Sequence, residues 1–158
     1  MTQILFDFPE RSIVDRMCAE SMGLSAHKLV RHQAADFELF GPSTEVVSVT
    51  KDIHIVRGAT ATLVGLQAAI CGTIATGADR TVTVDLQRST GGGAFATVLS
   101  STIQFTDAST LRTAVSAVIS SAGLVAGDIL RLVVIVAGSA GNQALGLLVT
   151  LTYTETYA

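Results

Sequence analysis

The histidines and cysteines are the first residues to test for metal binding, because imidazole and thiolate groups are the usual zinc ligands. His27 and His32 are five residues apart, whereas a zinc-binding helix carries its two histidines four apart on one face. His54 lies on a separate predicted strand. Cys18 and Cys71 have no paired CxxC spacing, so two buried free thiols are the ordinary interpretation, with a disulfide as the alternative. We therefore expect no metal site and no cofactor.

The aspartates that could pair as acid and base lie instead at predicted turns. Asp79, Asp107 and Asp128 each stand beside Gly, Ala or Ser, where a carboxylate commonly accepts backbone N–H groups. Gly91 to Gly93 follow a predicted strand without the Lys and Ser or Thr of a phosphate-binding loop, and so indicate a hairpin tip. The Gly-x-Ser-x-Gly nucleophile motif is also missing. We expect a protein that is not an enzyme.

The elements that would position any site are predicted to be strands, because apolar and polar residues alternate with a period of two from Ser43 onward. The clearest strand is 81–87, with Val82, Val84 and Leu86 inward. Residues 111–119 fit either a helix or a strand, and their β-branched content favours a strand. The remaining short strands are predicted at 45–50, 53–57, 66–74, 97–99 and 102–105.

Two longer apolar runs, 126–137 and 145–153, are predicted to be neighbouring strands joined by a Gly-rich loop. Arg131 marks the solvent face of the first run, and Val133 and Ile135 share that face. The core-facing residues are then Leu130, Leu132, Val134 and Val136. Because Val133 and Ile135 need a cover of their own, this pattern indicates a protein that assembles.

The N-terminal segment, residues 1–42, differs from the rest of the chain in composition. Ser12 and Ser25 are placed to cap two short helices. The alternatives are an extended arm whose aromatic side chains dock onto a neighbour, and an ordinary segment packed on its own domain. We predict an all-β protein with an N-terminal arm or short helical segment over 1–42 and a single β-sandwich or jelly-roll-like domain over 43–158. The aromatic residues of the N-terminal segment are Phe6, Phe8, Phe37 and Phe40.

The charges are few and unevenly distributed. The net charge of −3 argues against a nucleic-acid partner, and the apolar runs are shorter than a membrane span requires. The start of the chain lacks the features of a secretory signal, so we expect synthesis in a cytosol. Residues 61–158 carry nine charged side chains, about 9% where about 25% is usual. Burial of part of this surface in an oligomer would explain the deficit.

Five segments between residues 63 and 153 follow one another in a recognisable order: 63–68, 82–88, 97–103, 126–133 and 146–152, with a Gly-rich tip after the second. The most specific is the Ala126-Gly-Asp128 turn before a long apolar strand. This order resembles small β-sandwich domains of tailed-bacteriophage virions, which occur in capsid decoration (cement) proteins and in head or tail fibres. The chain lacks the heptad or internal repeats of a fibre, so cement proteins are the nearer likeness.

The resemblance implies a non-enzymatic structural protein of the virion. Cement proteins bind the outer surface of a capsid, stabilise it, and commonly form trimers. We therefore expect localisation at the capsid surface after synthesis in the host cytoplasm, with the major capsid protein and two further copies of this chain as partners. The alternative is a fibre module that binds a host surface or glycan, against which the absence of Trp argues. The candidate capsid or subunit contacts are Phe6, Phe8, Phe37, Phe40, Val133 and Ile135.

Overall fold

Antiparallel strands make up most of the computed structural model, which describes residues 30–72, 81–138 and 144–156. No helix occurs in these ranges, so the prediction of an all-β fold is confirmed. The strands are β1 (Val30–Glu45), β2 (Val49–Ile55), β3 (Thr60–Ile70), β4 (Thr81–Ser89), β5 (Ala96–Thr97), β6 (Ile103–Phe105), β7 (Val115–Ala117), β8 (Gly123–Val125), β9 (Ile129–Ala137) and β10 (Leu145–Thr156).

The strands form two five-stranded sheets that pack face to face as a β-sandwich. Sheet A has the order β1-β10-β3-β7, and β8 also pairs with β3. Sheet B has the order β2-β9-β4-β5, and β6 also pairs with β4. Each sheet turns one side toward the other, so alternate residues of every long strand enter a shared apolar layer.

The core follows from this alternation. On β4, Val82, Val84 and Leu86 are fully buried, as predicted. On β9, the residues predicted to face inward are buried except Val136, which is half-buried. Val133 and Ile135 lie on the opposite side of β9 together with Arg131, again as predicted.

The boundary predicted at residue 42 falls inside β1. This strand pairs with β10 from Val30 opposite Thr156 to Glu45 opposite Leu145, so residues from 30 onward belong to the sandwich. β1 is an edge strand that covers the core only partly. Its apolar and polar residues alternate weakly, so the sequence pattern did not predict a strand here. Phe37 and Phe40 are half-buried against the core of their own chain. Residues 1–29, with Phe6 and Phe8, lie outside the described ranges.

Three further expectations are corrected. The strands predicted at 45–50 and 53–57 are replaced by the end of β1 and the single strand β2, because residues 46–48 form the corner between the two sheets. β9 and β10 are not neighbours: β9 pairs with β2 and β4, whereas β10 pairs with β1 and β3. Cys71 is half-buried instead of buried, and Cys18 is outside the described residues.

The corner between β2 and β3 carries the chain from sheet B back to sheet A, and it packs tightly against the end of β10. Gly58 is buried there, and its N–H donates to the Glu155 carboxylate at 2.6 Å. A Cβ atom on Gly58 would lie 2.5 Å from the carbonyl oxygen of Thr156 and 2.7 Å from Cγ of Glu155. Only a glycine fits this contact without displacing β10.

We expect Gly58→Ala to lower the free energy of unfolding by about 1 to 3 kcal/mol, because the new methyl group overpacks a rigid backbone contact. Urea denaturation followed by circular dichroism measures the change. Gly65→Ala in β3 is the control, because a Cβ atom at Gly65 meets nothing within 4 Å. Equal stabilities of Gly58→Ala and Gly65→Ala would contradict the packing argument.

Candidate functional site: a polar pocket and an uncharged sheet face

A pocket of about 540 Å³ opens along the side of the sandwich where the edge strands β1 and β2 face each other. It is reached between the start of β1, the end of β2 and the end of β10. Its apolar wall is made by isoleucines of β2 and β9. Its polar lining consists of Gln33, Asp52, His54, Arg57, Tyr153 and Glu155.

The floor of the pocket is a contact between two rings. The rings of His54 and Tyr153 are 4.6 Å apart and tilted by 44°. The Tyr153 hydroxyl donates to Oε1 of Gln33 at 2.9 Å and lies 3.5 Å from Nδ1 of His54. These contacts join β1, β2 and β10 across the gap between the sheets, so the sandwich is closed here by polar groups in place of aliphatic ones.

Glu155 is a buried carboxylate beside this pair of rings, with 1% of its surface exposed. Its Oε1 accepts the backbone N–H groups of Arg57 and Gly58, each at 2.6 Å. A buried carboxylate requires such partners, because removing the charge from water is otherwise prohibitive. The Glu155 carboxylate therefore holds the backbone of this corner, a structural role for a residue that also lines the pocket.

His54 is uncharged at neutral pH. Burial lowers its pKa from 6.5, Glu155 raises it in part, and Arg57 lowers it further. Its Nε2 atom is buried and has no hydrogen-bond partner among the described residues. A neutral imidazole has one donor and one acceptor nitrogen, so His54 adds hydrogen-bonding capacity to the pocket without adding a charge.

The outer face of sheet B carries an ion pair next to the pocket. Nε of Arg131 donates to Oδ1 of Asp52 at 2.7 Å, and the guanidinium lies over the ring of Phe95 at 3.5 Å. Phe95 therefore covers part of the face of β9 that was predicted to be exposed to solvent around Arg131. Farther along β9, Val133 is half-buried and Ile135 is 52% exposed.

The outer face of sheet A differs from that of sheet B in its charge. Among the described residues, the outward-facing side chains of β3, β7, β8 and β10, with Val118 just after β7, include no charged group. Val64, Val118 and Val125 are 56%, 66% and 50% exposed. We call this surface the uncharged face; it consists of Thr60, Thr62, Val64, Gln67, Ser116, Val118, Val125, Leu148, Thr150, Thr152 and Thr154.

Acidic side chains flank the uncharged face along β1. Asp36 accepts a hydrogen bond from the Thr150 hydroxyl at 2.6 Å, and Glu38 lies opposite Leu148. On the other side, the Gln67 amide donates to the Ser116 hydroxyl at 3.1 Å. The face therefore has an apolar and hydroxyl-bearing centre with an acidic margin.

The predicted turn role of aspartate is confirmed at Asp128, whose Oδ2 accepts the backbone N–H of Val125 at 3.1 Å.

Within 30–72, 81–138 and 144–156, no three His, Cys, Asp or Glu side chains come together as a metal site. The same ranges contain no helix able to cross a membrane. No family model, curated protein or solved structure matches the chain.

The sequence-predicted contacts are spread over the molecule. Phe37 and Phe40 pack on their own core, whereas Val133 and Ile135 lie on the outer face of sheet B. The residues that sequence analysis missed are Gln33, Asp52, Arg57, Tyr153, Glu155 and Phe95. A signal for two of them existed, since Tyr153 and Glu155 continue the inward alternation that begins at Leu147.

We expect the stability of the protein to fall as the pH is lowered below 6.5. Burial holds the pKa of His54 in the folded state below its value in the unfolded chain. Between these two pKa values the unfolded state binds more protons, so the free energy of unfolding falls as the pH is lowered. The loss is complete below the folded-state pKa. Urea denaturation at several pH values should show a shallower slope in this window for His54→Gln.

His32→Gln is the control for that experiment, because His32 is exposed on β1. A wild-type slope retained in His54→Gln would assign the pH dependence to other groups and contradict the role given to burial of His54.

Proposed function

We propose that the protein is a non-enzymatic structural protein of a virus particle. In this proposal it forms a homo-oligomer, a trimer, and binds the outer surface of a capsid through the major capsid protein. The observation that carries the assembly is the uncharged face of sheet A. The capsid as the partner is supported by the resemblance of residues 63–153 to the sandwich domains of capsid decoration proteins.

The chemistry of the uncharged face favours burial against another protein. A surface without charged groups avoids the largest cost of leaving water. Val64, Val118 and Val125 contribute apolar area whose burial is favourable by about 25 cal/mol per Å². The threonine hydroxyls of β10 can exchange water for a partner group at little net cost. A centre of this kind with a polar margin is the usual composition of a subunit interface.

A second copy of the same chain is the partner that suits this face best. Three adjacent rows of strand about 4.8 Å apart, namely β10, β3 and the row shared by β7 and β8, present roughly 430 Å² in flat projection over the length of β10 from Leu148 to Thr156. Two such faces reach about 900 Å² in projection, the size of weak or transient interfaces. Three copies whose uncharged faces meet about one axis would each bury this surface and leave sheet B outward.

The opposite side of the sandwich then remains for the capsid. Ile135 and Val133 on sheet B are the candidate contacts there. Phe6 and Phe8, in the segment before the described residues, are further candidate capsid contacts. Using opposite sides for the two interactions allows the oligomer to form before it meets the capsid.

The double variant Val64→Asp, Val118→Asp should dissociate the oligomer to monomers, because it places two charges within the proposed interface. Light scattering behind a sizing column at micromolar concentration measures the mass. Ile135→Asp, an equally exposed apolar residue on sheet B, should leave the mass unchanged. A monomeric wild-type chain, or dissociation by Ile135→Asp alone, would overturn the assignment of the interface to sheet A.

Binding to particles tests the capsid part of the proposal. The chain should co-purify with capsids on a density gradient from cells that produce the virions, and quantitative mass spectrometry gives its copy number. Phe6→Ala, Phe8→Ala should lower occupancy about tenfold, since buried aromatic anchors contribute more than 1 kcal/mol each. The conservative variant Phe6→Leu, Phe8→Leu should retain most binding. Absence of the wild-type chain from purified particles would contradict the proposal.

A further inference from the structure

The polar pocket between β1 and β2 is not needed for assembly through sheet A. It lies on the open side of the sandwich, away from the uncharged face, and its lining departs from the aliphatic interior around it. Polar groups at inward positions weaken a small core unless they have another use. Side chains from four strands converge here on one cavity of a size usual for small-molecule sites.

We propose that this pocket binds an uncharged saccharide of one or two residues. The first reason is the balance of charge. Asp52 is paired with Arg131, and Glu155 is held by two backbone N–H groups near Arg57. The two acidic side chains of the lining are therefore balanced by Arg57 in the lining and by Arg131 just outside it, and His54 adds no charge at neutral pH. A pocket without net charge selects neither an anion nor a cation.

The second reason is the type of polar group at the mouth. Gln33 lines the pocket and accepts from the Tyr153 hydroxyl with its Oε1, and its amide group adds two N–H donors to the lining. Asp52 offers a carboxylate oxygen beyond the one bound to Arg131, and Arg57 is exposed with several donors. Carboxylate, amide and guanidinium groups each have two polar atoms in one plane, and adjacent sugar hydroxyls match that spacing.

The third reason is the apolar part of the lining. Ile53 and Ile129 are half-buried side chains at the pocket wall, and the His54 ring lies on its floor against Tyr153. The C–H groups of a sugar ring pack on such a surface while its hydroxyls meet the polar mouth. Donors, acceptors and apolar wall together fit a compact neutral polyol better than an aliphatic ligand, which would leave the polar groups unpaired.

The test is a titration of the full ¹⁵N-labelled chain with glucose, galactose, mannose and N-acetylglucosamine, followed by amide chemical shifts. N-acetylneuraminic acid serves as the anionic comparison. At least one neutral sugar should give saturable shifts concentrated at residues 52–58 and Gln33, with a Kd on the order of 1 mM. Gln33→Ala should raise that Kd at least tenfold. The matched variant Gln67→Ala, on the outer face of sheet A, should leave it unchanged.

Three results would overturn the proposal: no localised shift with any neutral sugar, tighter binding of the anionic sugar, or the same Kd in Gln33→Ala as in wild type. Thermal unfolding of each variant shows whether the sandwich is intact. The mass of the oligomer does not enter this experiment, so a failed titration leaves the assembly proposal standing, and a monomeric chain leaves the sugar site standing.

Discussion

The buried carboxylate of Glu155 holds together the corner on which the sandwich depends. It accepts the N–H groups of Arg57 and Gly58, at the point where the chain leaves sheet B and enters sheet A. The same corner is held from the other side by the turn before β9, since Val56 donates to the carbonyl of Asp128 at 2.9 Å and accepts from Gly127 at 2.9 Å. Two elements distant in sequence thus fix one crossing between the sheets.

This constraint also explains the pocket. Along the inward side of β10 the residues change from Leu147, Val149 and Leu151 to Tyr153 and Glu155 as the strand approaches the corner. The carboxylate must reach backbone N–H groups, and the phenol must reach a polar partner, so neither can fill space as an aliphatic side chain does. The apolar layer therefore ends before the sheets do, and a cavity with polar walls remains.

Much of the fold was predictable because alternation reports which side of a strand is buried. It identified β4 and β9 and their inward residues, and the same alternation, followed past Leu151, would have placed Glu155 inside. Alternation carries no information about which strand lies next to which, so β9 and β10 were wrongly paired. The edge strand β1 was missed because Gln33 and Ala35 weaken its inward pattern. The pocket depends on Gln33 and Tyr153, which are 120 residues apart, and no local spacing indicates such a contact.

The uncharged face is compatible with a chain that folds before it assembles. Its outward positions on β10 are occupied mainly by Thr, whose β-branched side chain suits a strand and whose hydroxyl can bind water on a free subunit. A face of Leu or Phe would demand a cover at once and expose the chain to aggregation. With Thr between scattered valines, the same surface can remain exposed to water on a free subunit, and its desolvation on assembly costs little free energy. The choice of side chain on one face of one sheet therefore separates folding of the subunit from its assembly.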